Sequence, residues 1–304
     1  MNVNLIGVPT NHGCDRNGAQ YGPKKLREAN IVNIMKKSEL SIYDMGDIYV
    51  EDIREEDKFL SDKNIKYYNS IYNVNLNLAH MVYTSLNNKD FPIIIGGDHS
   101  IALGSISGAS SYFKNLGVVW IDAHGDFNTE IISESKNSHG MPLAFLCGYG
   151  DERLVNLYRH KTKLHEENVF HIGGRDIDIE ERKLLDNTKV SMYDKNRINK
   201  LGIEKIIHEI IEKCKKQNVD AIHISLDIDF MDKDIVTGTG TGTRVSDGYS
   251  IEDTKLILKE LINSGLVKSM DFVEFNPILD ENNETLNICT NLLEYTSNLI
   301  KKLK

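Results

Sequence analysis

A chain of 304 residues, 40% apolar and 27% charged, is long enough to bury a large core and has the make-up of a soluble globular protein. Its net charge of −9 argues against nucleic acid as the main partner, because a phosphate backbone demands a basic face. Four scattered cysteines (Cys14, Cys147, Cys214, Cys289) form no CxxC pair, and no apolar run reaches the length of a membrane span. The expectation is a cytoplasmic chain with reduced thiols and no membrane segment.

Taken in chain order, short apolar runs predict strands at 3–8, 40–45, 92–95, 117–121, 168–172, 189–193, 220–226 and 269–275. Between them, helical spacing marks 63–88 (Ile65, Tyr68, Ile71, Tyr72, Leu76, Ala79), 203–217, 251–264 and 286–302. Ser250 with Asp253 three residues on resembles a capping box. Strands that lack polar alternation and are separated by helices imply a parallel sheet covered on both faces. No linker or repeat divides the chain, so one domain over 1–304 is expected. The run EDIREED at 51–57 reads as a solvated surface segment, and TGTGTGT at 237–243 as a loop.

Open α/β sheets present ligands beyond the carboxyl ends of their strands. Here GGDHS delivers His99, DAHGDFN delivers Asp122, His124 and Asp126, and DID delivers Asp227 and Asp229. The period of two along a strand would place the members of each motif on one face. Four carboxylates balance two divalent cations, whereas one cation would leave a buried negative surplus. A set rich in oxygen, with one imidazole per ion and no cysteine, suits manganese, with zinc, iron or cobalt as competitors. The strand at 168–172 adds Asp176 and Asp178, and 269–275 contains Glu274. The other histidines (His12, His80, His160, His165, His171, His208, His223) are expected to be surface or hydrogen-bonded residues.

These motifs resemble the ureohydrolase superfamily of arginases, agmatinases and formimidoylglutamases. The likeness runs through IGVP (6–9), DMGDI (44–48), GGDHSIALGS (96–105), DAHGDFN (122–128), HGMP (139–142), GGRDID (173–178), SLDIDFMD (225–232) and VEFNPILDENN (273–283). The resemblance implies a single-domain α/β fold, a three-layer sandwich with a central parallel sheet of about eight strands. It also implies two Mn²⁺ ions per subunit and a homo-oligomer, either trimer or hexamer. One ion would take His99, Asp122, Asp126 and Asp227; the other would take Asp122, His124, Asp227 and Asp229.

By the same resemblance, the hydroxyl-rich segment TEIISESKNSHG looks like the arginase loop. Asn128, Ser133, Ser135 and Asn137 would then meet the α-carboxylate of L-arginine, which agmatine lacks. Asp178, with Glu181 assisting, would face the α-ammonium, Glu274 would hold the guanidinium, and Thr243 or Thr241 would border the site. The implied reaction is hydrolysis of L-arginine to L-ornithine and urea by attack of a metal-bridging hydroxide on the guanidinium carbon. Asp126 would accept a proton and His139 would protonate the leaving amine. An agmatinase or another guanidino hydrolase is the alternative. A dinuclear amide hydrolase or phosphoesterase fits the metals but not Glu274 with the polar loop. The segment departs from the family at Asp232-Lys233, at Gly242-Thr243-Arg244 and at Gly125, where Thr or Ala is common.

Overall fold

The computed structural model describes residues 2–159, 161–239 and 245–303. Among them, eight strands form one sheet: β1 (Val3–Val8), β2 (Ile42–Asp47), β3 (Phe91–Gly96), β4 (Leu116–Ile121), β5 (Val169–Ile172), β6 (Ser191–Tyr193), β7 (Ala221–Asp227) and β8 (Val267–Val273). Their order is β2-β1-β3-β8-β7-β4-β5-β6, and every pairing is parallel. The last strand of the chain thus lies between β3 and β7. All eight expected strands are present. The last runs two residues earlier than its apolar pattern suggests, so Glu274 follows β8 instead of lying within it.

The helices are α1 (Gly22–Glu28), α2 (Ile31–Lys36), α3 (Tyr68–Asn87), α4 (Ala102–Tyr112), α5 (Pro142–Cys147) and α6 (Glu152–Val155). They continue with α7 (Ile179–Leu185), α8 (Lys195–Leu201), α9 (Ile203–Lys216), α10 (Ile251–Asn263) and α11 (Glu284–Lys301). Alternate side chains of each strand point to opposite faces. On one face Leu5, Ile93, Ile95 and Val119 pack with α1, α2 and α8 to α11; on the other Ile6, Ile94, Val118 and Trp120 pack with α3 to α7. Covering both faces explains why the strands read as continuous apolar runs. This is the expected three-layer α/β domain.

Helix α3 starts five residues later than its periodicity suggests. Tyr67 takes a left-handed conformation (φ 50°), and Lys66 N–H donates instead to Lys136 O at 3.1 Å. The Ser250–Asp253 capping box is present at α10. Residues 51–57 lie largely exposed, and all four cysteines are buried and unpaired. No helix among the described residues is long and apolar enough to cross a membrane.

Candidate metal centre and substrate cleft

Five adjacent strands, β3, β8, β7, β4 and β5, end beneath one cleft. After β3, Gly97 brings the chain so close to the loop behind β1 that a Cβ there would lie 2.0 Å from Thr10 O. Asp98 then accepts from Ser100 N at 3.0 Å and Gly13 N at 2.8 Å, which fixes the turn that carries His99. Behind β7, Asp227 accepts from Asp229 N at 2.8 Å, and Asp229 accepts from Ala123 N at 3.2 Å. The second bond ties the β7 tip to the β4 tip.

The DxHxD motif does not converge by strand alternation. Strand β4 ends at Ile121, and the motif lies in irregular chain beyond it. His124 N–H folds back onto Asp122 Oδ1 at 2.7 Å, and Asp126 turns into the left-handed region (φ 51°). The turn, not a pleat, aims the three side chains at one point.

His99 Nδ1 lies 2.9 Å from Asp122 Oδ2, 3.0 Å from Asp126 Oδ2 and 3.3 Å from Asp227 Oδ2. His124 Nδ1 lies 3.0 Å from Asp229 Oδ2 and 3.5 Å from Asp122 Oδ1. Two donor sets result, His99–Asp122–Asp227 and Asp122–His124–Asp229, with the atoms of each within 4.8 Å of one another. Asp122 belongs to both through its two oxygens. Asp126 joins the first set, while the second oxygen of Asp227 is engaged by Asp229 N–H. His99 Nδ1 is fully buried and makes no aligned hydrogen bond despite three oxygens around it. A buried nitrogen crowded by carboxylate oxygens without a linear partner fits a cation at their centre. The oxygen and imidazole donors, without sulfur, fit a hard divalent ion.

The electrostatics agree. Burial opposes a charged imidazole at His99, yet Asp122, Asp126 and Asp227 hold its pKa well above the histidine range. His124 is likewise raised against burial, chiefly by Asp229 and Asp122. Burial and the charge of Asp122 push Asp126 up to about 7; burial with Asp229 and Asp122 raises Asp227 strongly. Burial opposes a charged Asp122, yet His124 and His99 hold its carboxyl well below the usual range. Asp126, Asp227 and Asp229 are raised by burial and by neighbouring carboxylates, so the crowded carboxylates favour added positive charge.

Beside this cluster, Glu274 Oε1 accepts from His99 N at 2.8 Å and lies 3.2 Å from His139 Nδ1. Its Oε2 is buried without a partner. Glu274 also has a left-handed backbone (φ 66°), locked by its N–H donating to Gly97 O at 2.8 Å. Burial lowers the affinity of His139 for a proton, but Glu274 and Asp126 outweigh it and raise the pKa.

A cleft of about 650 Å³ opens over the cluster, and Asn128, Ser133, Ser135, Asn137, His139, Asp178 and Glu181 all reach it. Asn128 Nδ2 donates to Asp178 Oδ2 at 3.0 Å. Asp178 also caps α7 in a capping box with Glu181. Glu181 faces the backbone: its oxygens accept from Phe127 N at 2.7 Å and Asp178 N at 3.1 Å. Gly125 allows this approach, since a Cβ there would lie 2.6 Å from Glu181 Oε1. The departure at Gly125 thus has a local cause. Asp176 stands 3.8 Å from His124 Nε2 at the rim. Thr241 and Thr243 lie outside the described residues.

The histidines without an assigned role divide. His80, His165 and His208 are exposed, His12 and His223 are buried and hydrogen-bonded, and His160 lies outside the described residues. His171 is fully buried, with neither ring nitrogen in an aligned hydrogen bond and the backbone of His124 as its polar neighbour. Burial pushes its pKa down to about 4, so it packs as a neutral ring beside the site. Sequence reading gave no role to Asp98, Ser225 or Asp271, whose contacts only the fold reveals.

A parallel α/β sheet with imidazoles and carboxylates gathered over its central carboxyl edge defines a class of hydrolase. The family model for the Arginase family matches residues 1–297. An arginase of Staphylococcus aureus (strain COL) is 41% identical over 283 residues, covering 93% of this chain and 92% of the relative. The crystal structure of arginase from Bacillus cereus superposes with a TM-score of 0.89 at 34% identity, covering 99% of this chain and 98% of that one. Arginase from Entamoeba histolytica, solved in complex with L-ornithine, gives 0.87 at 30% identity over 97% of this chain and 98% of that one. The chain belongs to the arginase family.

Proposed function

We propose that the protein hydrolyses L-arginine to L-ornithine and urea with two Mn²⁺ ions. One observation carries this reading: two donor sets share Asp122 beside a glutamate with one buried oxygen to spare. His99, Asp122, Asp126 and Asp227 would hold one ion, and Asp122, His124, Asp227 and Asp229 the other. Bound there, the ions would supply an acidified water as nucleophile.

The remaining roles belong to the chain. Glu274 Oε2 accepts from the planar guanidinium and holds its carbon over the metal cluster. Its Oε1 keeps His139 oriented. His139, whose proton affinity Glu274 and Asp126 raise against its burial, gives a proton to the departing ornithine amine. Asp126 takes the proton that the attacking water gives up. Asp178 attracts the α-ammonium, while Asn128, Ser133, Ser135 and Asn137 bound the α-carboxylate end. That polar wall favours arginine over agmatine, which has no carboxylate to meet it.

The test is urea release from arginine and agmatine side by side after Mn²⁺ loading, with metal analysis of the same sample. Arginine preferred by about tenfold or more, with two ions per chain, is the expected result; a tenfold ratio corresponds to ~1.4 kcal/mol. Agmatine turned over equally well would overturn the substrate assignment, and a chain that binds no ion would overturn the mechanism.

A further inference from the structure

Beneath His99 runs a line of polar groups that never reaches solvent. His99 Nε2 lies 2.8 Å from Ser225 Oγ, and that hydroxyl donates to Asp271 Oδ2 at 3.3 Å. The same oxygen accepts from Ser105 Oγ at 2.6 Å and faces His223 Nε2 at 2.9 Å. His223 Nδ1 meets Ser269 Oγ at 2.8 Å. Ser105, His223, Ser225, Ser269 and Asp271 are all fully buried. Their placement follows from the pairing of two strands: Ser225 lies beside Asp271, and His223 beside Ser269. The alternation that puts His223 and Ser225 on one face of β7 continues to Asp227.

A carboxylate in the middle of a sheet is costly, and apolar residues fill such positions elsewhere in this core. Asp271 Oδ1 even lacks a partner. Packing alone gives no reason to keep the group. Its polarity does. Ser105 and Ser225 donate to Oδ2 and His223 Nε2 faces it, so this oxygen is the acceptor at the end of the line. Ser225 must therefore spend its proton on Asp271 and offer a lone pair to His99. The proton of His99 is thereby held on Nε2. Nδ1 is the nitrogen left to exchange a proton for a cation held among Asp122, Asp126 and Asp227.

We propose that Asp271, braced by His223, is a positioning residue that sets the tautomer of His99 through Ser225 and so prepares Nδ1 for a cation. The proposal rests on the metal-centre reading above. It reaches only one of the two donor sets, because no bond of this line touches His124 or Asp229. Asp271→Asn places an amide where the carboxylate was. The amide can donate to Ser225, and the whole line can reverse, leaving a proton on Nδ1.

The experiment is calorimetric titration of metal-free protein with Mn²⁺, with electron paramagnetic resonance of the loaded samples and thermal melts of the metal-free ones. For the wild type, two ions bind and give a coupled dinuclear signal. For Asp271→Asn, one ion binds as in the wild type and the second about 10–100-fold more weakly, the range for an outer partner of a ligating histidine. At limiting Mn²⁺ the signal becomes that of an isolated ion. Ser225→Ala cuts the line but leaves Asp271 with Ser105 and His223; it should weaken the same ion and serves if Asp271→Asn does not fold. Two ions bound with wild-type affinity by these variants, or both ions weakened equally, would overturn the proposal. Wild-type protein that binds no ion would instead overturn the metal-centre reading, and this proposal with it.

Discussion

Asp126 and Glu274 are non-glycine residues with left-handed backbones (φ 51° and 66°). Such residues cost on the order of 1–3 kcal/mol each and persist where neighbours hold them. Here Leu143 N–H donates to Asp126 O at 3.1 Å and Glu274 N–H to Gly97 O at 2.8 Å. The strain turns Asp126 into the cleft and Glu274 against His99 and His139 beneath it, where a regular strand would send them elsewhere. Glu274→Gln keeps the backbone and removes the charge. It is expected to lower kcat/KM for arginine about 10–100-fold, the worth of a charge-assisted hydrogen bond of ~1.5–3 kcal/mol, with both ions retained. His139→Asn should reduce kcat by about 10²–10⁴-fold at unchanged metal content; wild-type turnover would remove His139 from the proton path.

Glu181 makes a separate test by pH. Burial pushes its pKa from 4.5 to about 8, against the pull of Phe127 N–H. The folded state thus favours the protonated form. Stability from that proton is complete below about pH 4.5 and is lost as pH rises toward 8. Thermal melts of wild type and Glu181→Gln at pH 5 and pH 8 should show the wild type losing more Tm over that interval. Parallel losses would mean that Glu181 is ionised throughout.

At the level of elements, the site depends on short connections. Asp178 is both the cap of α7 and the acceptor of Asn128 Nδ2. Asp178→Ser preserves a capping oxygen and discards the charge. It should raise KM for arginine roughly 10-fold with little change in Tm, whereas Asp178→Ala should also lose about 0.5–2 kcal/mol of stability. A rise in KM confined to Asp178→Ala would assign Asp178 to the helix alone. The eight strands and the six metal-ligand candidates were legible in the sequence because buried parallel strands leave apolar runs, and their tips carry the chemistry. Helix α4 was not. Residues 102–111 are buried on every side, so no polar stripe marks their period. Nor could period two foresee the turn at Asp126, where backbone conformation sets direction. Asp271 and Ser225 read as ordinary strand residues until β7 and β8 are placed side by side.

At the scale of the molecule, cations bound by the native state alone add to its stability. At a free Mn²⁺ concentration 100 times Kd, one site contributes ~2.7 kcal/mol. Chelation should therefore lower Tm by several degrees. Because the pKa values of His99 and His124 are raised and Asp126 is pushed up to about 7, ion uptake should release protons and tighten as pH rises from 6 to 8. Calorimetry in buffers of different ionisation enthalpy reads that release directly. Uptake without proton release would contradict the charge state inferred for the empty cluster.

The position of β8 bears on how the protein is made. Strands β2-β1-β3 lead to His99, and β7-β4-β5-β6 lead to the aspartates; within the sheet, residues 267–273 are the strand that joins the two sides. A ribosome must therefore release nearly the whole chain before the sheet can fix His99 beside Asp122 and Asp227, whereas Asp122, His124 and Asp229 all come from the tips of the directly paired β4 and β7. Until that last strand slots home, a nascent polypeptide exposes the raw edges of β3 and β7, each a template for pairing with the wrong chain.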